Sequence, residues 1–209
     1  MVIKNEQVLE TAAEVLARRP DATLQSIATA AGISRTTIFN KFATRDALIQ
    51  ALAVDSLRRI GEVMARVPSD VDSNDSAGFA SVMCEVTVGL MPLGPRTAFL
   101  RVVPGWGNEL DRHWVEAVTP LAVYIGMAQS RGMLRGDQPA RWLVASYIGL
   151  LFAAWDEIAE GELGHAQASR FVIETWMSGT TEGSRRRPDC FTQASVDGVD
   201  NDSGVDPGT

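Results

Sequence analysis

The run TLQSIATAAGISRTTIFNKFATRDALIQAL, residues 23–52, constrains the fold of this chain more than any other stretch. Its apolar positions form two short helical sets with a glycine between them. Leu24, Ile27, Ala28 and Ala31 share one side of the first set; Gly32 interrupts; Ile38, Phe39 and Phe42 mark the second. Thr23 and Ser34 stand where each set needs a cap, because a hydroxyl there accepts a backbone amide that has no partner inside the helix. Thr44 repeats the device for a further helix over about 44–66, with Asp46 in its first turn, where an acidic side chain suits the helix dipole. Upstream, Val8, Leu9, Ala12, Ala13, Val15 and Leu16 recur every three to four residues, which predicts a helix over about 4–18 ended by Pro20.

Two short helices joined by a glycine turn make a helix-turn-helix, whose second helix fits the major groove of DNA. Ala28 is small where the pair crosses, Gly32 supplies the turn, and Ile33 and Ile38 bury the pair against its neighbours. Arg35, Thr36, Thr37, Asn40 and Lys41 are then left on the outer side. Arg35 and the two threonines lie at the helix start, where backbone amides also favour an anion. Arginine can hold guanine through two hydrogen bonds, and threonine offers a hydroxyl and a methyl to thymine. Lys41 and Arg45 suit phosphate. With Thr23, Ser34, Thr44 and Phe39, these are the candidate DNA contacts. The same turn also occurs in helical bundles that never meet DNA, so a purely structural use stays open on the motif alone.

The net charge of −7 at first argues against a nucleic-acid partner. Its distribution reverses the argument: residues 1–60 carry eight Lys/Arg against six Asp/Glu, and residues 61–209 carry eleven against twenty. Only a local basic face must meet phosphates.

The string IATAAGISRTTIFNKFATRDALI resembles the tetracycline-repressor (TetR) family: Ile-Ala, two residues, Ala-Gly, an aliphatic, Ser, then an aromatic-containing recognition helix. Phe42, Arg45, Asp46 and Leu48 extend the likeness, which covers roughly residues 5–55. Two positions depart from it. The family often has glycine where Thr36 stands and tyrosine where Phe39 stands, so Thr36 adds a side chain near the groove and Phe39 lacks a hydroxyl for phosphate. The resemblance implies an all-α chain: an N-terminal three-helix helix-turn-helix domain, 1–45, linked through the helix at 44–66 to a helical effector-binding and dimerisation domain, 46–178. It also implies a homodimer on a palindromic operator in double-stranded DNA, and repression relieved by a small molecule.

Beyond the polar turn at 68–76, apolar periodicity predicts helices over about 76–91, 96–103, 108–132, 138–160 and 164–178, with Pro120 kinking the third of these or leaving a carbonyl unpaired. Residues 179–209 are polar and glycine-rich and read as a disordered tail. Met83, Phe99, Trp106, Trp114, Tyr124, Met127, Phe152 and Trp155 lie in this part. Core packing explains most such residues, yet an aromatic helical layer interrupted by proline also builds apolar ligand cavities. The resemblance places the effector pocket here, and an apolar or aromatic effector is expected.

The helix over 138–160 is apolar on two sides. Leu143, Tyr147, Leu150, Ala154 and Ile158 form one stripe; Trp142, Ala145, Gly149, Phe152 and Ala153 cover the other. A helix apolar all round is buried all round, so a second copy of the chain is expected against Trp142, Ala145, Gly149 and Ala153, together with Phe171 and Trp176 of the last helix. A monomer with a thicker core is the alternative.

Other constellations have plainer readings. Glu109, His113 and Glu116 share a helical face, and a solvated, salt-bridged surface explains them without metal. His165 reads as a surface or capping residue, while Glu85, Asp156 and Glu157 read as exposed. With no nucleophile elbow, phosphate-binding loop or dinucleotide fingerprint, neither an enzyme nor a cofactor is expected. Cys84 and Cys190 are too far apart in sequence and context to suggest a disulfide framework. No apolar run is seen that would span a bilayer, and no secretory segment opens the chain; a cytoplasmic protein without a membrane partner is expected. Two other functions remain: a ligand-binding or interaction module of this fold that has lost DNA regulation, and an all-helical enzyme dependent on His113 or His165.

Overall fold

The computed structural model describes residues 5–72, 75–97 and 108–182, and among these the elements are helices: α1 Asn5–Arg18, α2 Leu24–Ala30, α3 Arg35–Lys41, α4 Arg45–Met64, α5 Ser76–Leu90, α6 Gly94–Thr97, α7 Asn108–Ser130, α8 Ala140–Glu160 and α9 His165–Thr180. The all-α architecture and the order of elements agree with the sequence expectation.

The first three helices close on one apolar centre. Val8, Leu9, Ala12, Ala13 and Leu16 of α1, Leu24, Ile27 and Ala28 of α2, and Ile38 of α3 are buried. Each short helix starts on a hydroxyl: Thr23 accepts from the Ser26 amide, Ser34 from Thr37 and Thr44 from Ala47. α2 stops because Gly32 turns to φ 65°. The Gly32 amide then donates to Thr29 and the Ile33 amide to Ala28, which pairs the carbonyls that end the helix. A side chain would meet no atom within 4 Å at Gly32, so backbone conformation, not space, selects glycine there.

α4 belongs to both parts of the molecule. Leu48 and Leu52 face the N-terminal helices, and Leu57, Ile60, Val63 and Met64 continue into the larger bundle, where α7 packs along α4 and Ala117 sits against Gly61. α5, α7, α8 and α9 surround an aromatic centre. Phe79 stacks on Tyr124 at 5.4 Å between ring centres, and Tyr147 meets Trp176 edge-on at 5.6 Å. Trp176 Nε1 donates to the Leu143 carbonyl at 3.0 Å, and the Tyr147 hydroxyl lies 2.8 Å from that of Thr87. Burial pushes the Tyr147 phenol well above its ordinary range, against the opposing hydrogen bond with Thr87.

Several boundaries move. The prolines at 92 and 95 do not break the chain into a loop. Pro92 sits in the 3₁₀ turn Met91–Leu93 and Pro95 in the first turn of α6, where the missing amide has no intrahelical partner to lose. Of the helix expected over 96–103, only its first two residues fall within α6; Phe99 and Trp106 lie outside the described residues. α7 runs through Pro120. Residues 179–182, expected to open the tail, are instead ordered against the bundle, with α9 reaching Thr180. The Arg135 amide donates to the Thr180 carbonyl at 2.8 Å, and Leu134 bridges Thr181. Residues 183–209 lie outside the described residues.

One expectation is corrected. Two helical stretches, Ser76–Thr97 and Ala140–Ala159, have the length and mean hydropathy, 1.4 and 1.3, of bilayer-crossing segments. Scattered polar residues hide this from a search for unbroken apolar runs. Both stretches contribute buried faces to the bundle: Phe79, Met83 and Leu90 from one, Leu143, Tyr147 and Leu151 from the other.

Candidate functional site

α3 is anchored by one side chain and open on the other. Ile38 is its only buried residue, while Arg35, Thr36, Phe39 and Asn40 are exposed. Phe39, 41% exposed, does not pack inside; the Arg35 guanidinium lies over its ring at 5.3 Å. The pair pre-organises the arginine at the start of the helix while leaving its donors outward. Thr37 is half-buried, its hydroxyl 2.8 Å from that of Ser34, so both are partly engaged in capping. Lys41 donates to the Asn5 side chain, which ties the end of α3 to the start of α1.

The remaining candidates also make contacts within the chain. Thr23 and Thr44 are exposed caps. Arg45 is turned inward: its Nε donates to the Ala22 carbonyl at 3.0 Å and its Nη2 to that of Pro20. These bonds clamp the α1–α2 connection to α4 and leave less of the guanidinium for a phosphate than its sequence position suggests.

A cluster of charged side chains, missed in the sequence, joins the two parts of the molecule. Arg96 of α6 is 4% exposed and pairs with Asp55 of α4 at 2.5 Å and with Glu10 of α1. Arg59 meets Asp55 at 3.2 Å and Glu6 at 2.8 Å, and Arg58 meets Asp55 at 2.8 Å. Ser56 donates to the Arg96 carbonyl at 2.9 Å. Burial acts to raise the Asp55 carboxyl, but the hydrogen bond from Arg58 and the charges of Arg96 and Arg59 outweigh it and hold the group below the ordinary carboxylate range. The i, i+4 spacing of Glu6 with Glu10 and of Asp55 with Arg59 was a visible signal. Arg96 gave none, because it sits among prolines and glycine.

Between α4, α5, α7 and α8 lies an apolar hollow. Ile60 and Met64 line it from α4, Leu90 from α5, Trp114 and Val118 from α7, and Ile148, Leu151, Phe152 and Trp155 from α8. Its cavity volume is about 10 Å³, close to the minimum for one water. Trp114, Phe152 and Trp155 of the expected pocket residues line this hollow. Met83 and Tyr124 are buried in the bundle and lie off this wall, with Tyr124 stacked on Phe79 in the aromatic core. Met127 is half-buried and also off the wall. Phe152 meets Trp155 edge-on at 5.1 Å, and Trp155 lies so close to Gly94 that a side chain there would approach its Cδ1 to 2.6 Å.

The outer side of α8 is bare. Trp142 is 58% exposed, and Ala145, Gly149 and Ala153 are exposed with it; Phe171 of α9 adds a 40% exposed ring. Trp176 is corrected from this surface to the core, at 2% exposure, because its indole N–H reaches back to the Leu143 carbonyl. Phe152, placed on the outer stripe by sequence, turns to the hollow. His113 Nδ1 lies 3.6 Å from Glu116, and no group of three or more potential metal ligands gathers among the described residues. His165 and Cys84 are exposed; Cys190 lies outside the described residues.

Residues 8–52 match the profile described as bacterial regulatory proteins, tetR family. No curated protein sequence matches the chain. Among solved structures, the TetR-like transcriptional regulator LfrR from Mycobacterium smegmatis, in complex with proflavine, superposes with a TM-score of 0.68 at 23% identity over 83% of this chain and 94% of that one. The regulator PfmR from Thermus thermophilus gives 0.65 at 10% identity over 90% and 100%, and MbdR from Azoarcus sp. CIB gives 0.63 at 17% identity over 83% and 97%. At these identities the likeness is one of fold.

Proposed function

Because residues 8–52 match the tetR family of bacterial regulatory proteins and the chain has a fold like that of TetR-like regulators, we propose that it is a ligand-responsive transcriptional repressor acting in the cytoplasm as a homodimer on a palindromic operator. The carrying observation is the outward set Arg35, Thr36, Phe39 and Asn40 on a helix held from behind by Ile38. Arg35 reads a base edge, the hydroxyl and methyl of Thr36 face the groove beside it, and Lys41 contacts phosphate. The exposed apolar strip of α8 with Phe171 supports the dimer, which sets two reading helices roughly 34–36 Å apart in successive major grooves.

A small apolar or aromatic effector enters the hollow between α4, α5, α7 and α8. LfrR, with proflavine bound, supports the idea that this fold accommodates such a molecule. The effector acts by favouring one spacing of the reading heads over the other, a coupling of about 1–3 kcal/mol. α6 is the element placed to transmit it: Gly94 lies against Trp155 of the hollow, and Arg96, two residues on, is paired with α1 and α4.

The reading separates base contacts from phosphate contacts. Arg35→Ala is expected to weaken operator binding by about 1–3 kcal/mol and to relax preference at one base pair per half-site. Lys41→Ala weakens operator and random duplex alike and lowers the slope of log affinity against log salt by about one per bound protomer. Gel-shift titrations at several salt concentrations measure both. An unchanged slope for Lys41→Ala, with unchanged affinity, contradicts the assigned orientation of α3.

A further inference from the structure

The helix-turn-helix carries two aromatic side chains, Phe39 and Phe42, and the fold places them oppositely. Phe42 lies on the inner side at 7% exposure, four residues after the fully buried Ile38. Phe39 falls on the outer side at 41% exposure. Single exposed apolar side chains are common on protein surfaces, and Val88, Val115 and Val123 are examples here. Phe39 differs from them in its setting, because it stands among Arg35, Thr36 and Asn40, the other exposed residues of α3.

Those four residues form two rows. Arg35 and Phe39 are four apart, as are Thr36 and Asn40, and that spacing keeps side chains on one helical face. In the first row the Arg35 guanidinium lies over the Phe39 ring, 5.3 Å from its centre. The ring braces the arginine while the residue as a whole stays open to solvent.

A phenyl ring has no donor and no acceptor, so it distinguishes base pairs only by shape and apolar contact. In the major groove the apolar group that marks a base is the 5-methyl of thymine. Against the amino groups of adenine and cytosine, or O6 of guanine, the ring takes a polar atom out of water with nothing to pair it. Helix geometry sets where the thymine lies. Four residues advance an α-helix by about 6 Å, and base pairs are about 3.4 Å apart. For a helix lying along the groove, the contacts of Arg35 and Phe39 fall about one or two base pairs from each other.

We infer that Phe39 is a specificity-determining residue: it reads the 5-methyl group of a thymine about one or two base pairs from the guanine that Arg35 holds. The inference deepens the proposed operator reading and rests on it. It also gives Phe39 a role that needs no hydroxyl, unlike a phosphate contact.

The test removes that methyl group and nothing else. The full-length protein selects its operator from random duplexes, and the base whose preference is relaxed in Arg35→Ala marks the guanine. Deoxyuridine then replaces thymidine at one symmetric pair of positions at a time. Affinities of the wild type, Phe39→Ala and Thr36→Ser are measured by fluorescence anisotropy at one fixed salt concentration. At a thymine within the stated spacing of the guanine, deoxyuridine is expected to weaken wild-type binding by about fourfold per half-site, the effect of one buried methyl group. Phe39→Ala shows no such penalty there. Thr36→Ser lacks the other methyl group near the groove and, whatever its overall affinity, keeps the penalty. The wild type decides without any variant: no thymine in that window, or no penalty at any thymine in it, overturns the inference. So does a penalty that persists in Phe39→Ala or disappears in Thr36→Ser. A chain that enriches no sequence, or none whose preference depends on Arg35, defeats the operator reading and the inference together. One that enriches an inverted repeat read by Arg35, yet is indifferent to the thymine methyl, defeats the inference alone.

Discussion

Replacing Asp55 with alanine is expected to lower the unfolding free energy by about 3 kcal/mol, a value at the lower end for breaking a buried ion pair. The side chain of Asp55 is 12% exposed and stands between Arg58, Arg59 and Arg96. Removing it leaves the Arg96 guanidinium, 4% exposed, with Glu10 as its ion-pair partner among the described residues, and Glu10 is half in solvent. The penalty therefore comes mainly from an under-compensated buried cation rather than from the lost attraction. The effect also depends on pH. The folded-state pKa of Asp55 is depressed, so its stabilisation is complete above the unfolded carboxylate value of about 3.9 and is lost as pH falls through the lower folded value. Denaturant titrations of both proteins between neutral pH and pH 2 check this: the gap between them is widest at neutral pH and narrows below about pH 4. A gap that is absent at neutral pH, or that widens on acidification, contradicts the role given to Asp55.

Ile38→Ala is expected to abolish specific operator binding while leaving the larger bundle folded. Ile38 is fully buried and is the single buried residue of a seven-residue helix. Truncations of this kind cost about 2–5 kcal/mol, and a helix of two turns has no independent stability in water. The loss falls on α3 and its junction with α2. Amide hydrogen exchange over residues 35–41 should accelerate by at least a hundredfold, consistent with about 3 kcal/mol of local opening. Ile38→Val, with a cost of about 0.5–1.5 kcal/mol, should retain both protection and binding. Operator affinity within twofold of wild type in Ile38→Ala contradicts the view that this one contact presents the reading face.

The helix-turn-helix was legible because its signals are local. Thr23, Ser34 and Thr44 cap the helices they precede, and Gly32 takes the positive φ that the turn between α2 and α3 demands. Ile38 points in and Arg35 out, as a helical period of 3.6 requires. What stayed hidden was set by packing between segments distant in sequence. The hydrogen bonds of Arg45 to the carbonyls of Pro20 and Ala22 depend on α4 lying beside the α1–α2 turn, which the local sequence does not show. Trp176 and Phe171 are both aromatic residues of α9, yet only the fold decides that one bonds Leu143 and the other faces solvent. The aromatic residues of the C-terminal part could be counted but not sorted. Tyr124 and Met83 went to the core, while Trp114, Phe152 and Trp155 went to the hollow. Pro92 and Pro95 stand where a helix start tolerates proline, so neither ends the helical path.

The central claim is that two copies of α3 read DNA together. Selection of the full-length protein against random duplexes tests it most directly. The account predicts enrichment of an inverted repeat whose half-site centres lie one helical turn, about 10 bp, or a small multiple of that apart. It also predicts loss of preference at one symmetric pair of positions when Arg35 is replaced by alanine. Recovery of no enriched sequence, or of an undivided site whose preference is unaffected by Arg35→Ala, would contradict it.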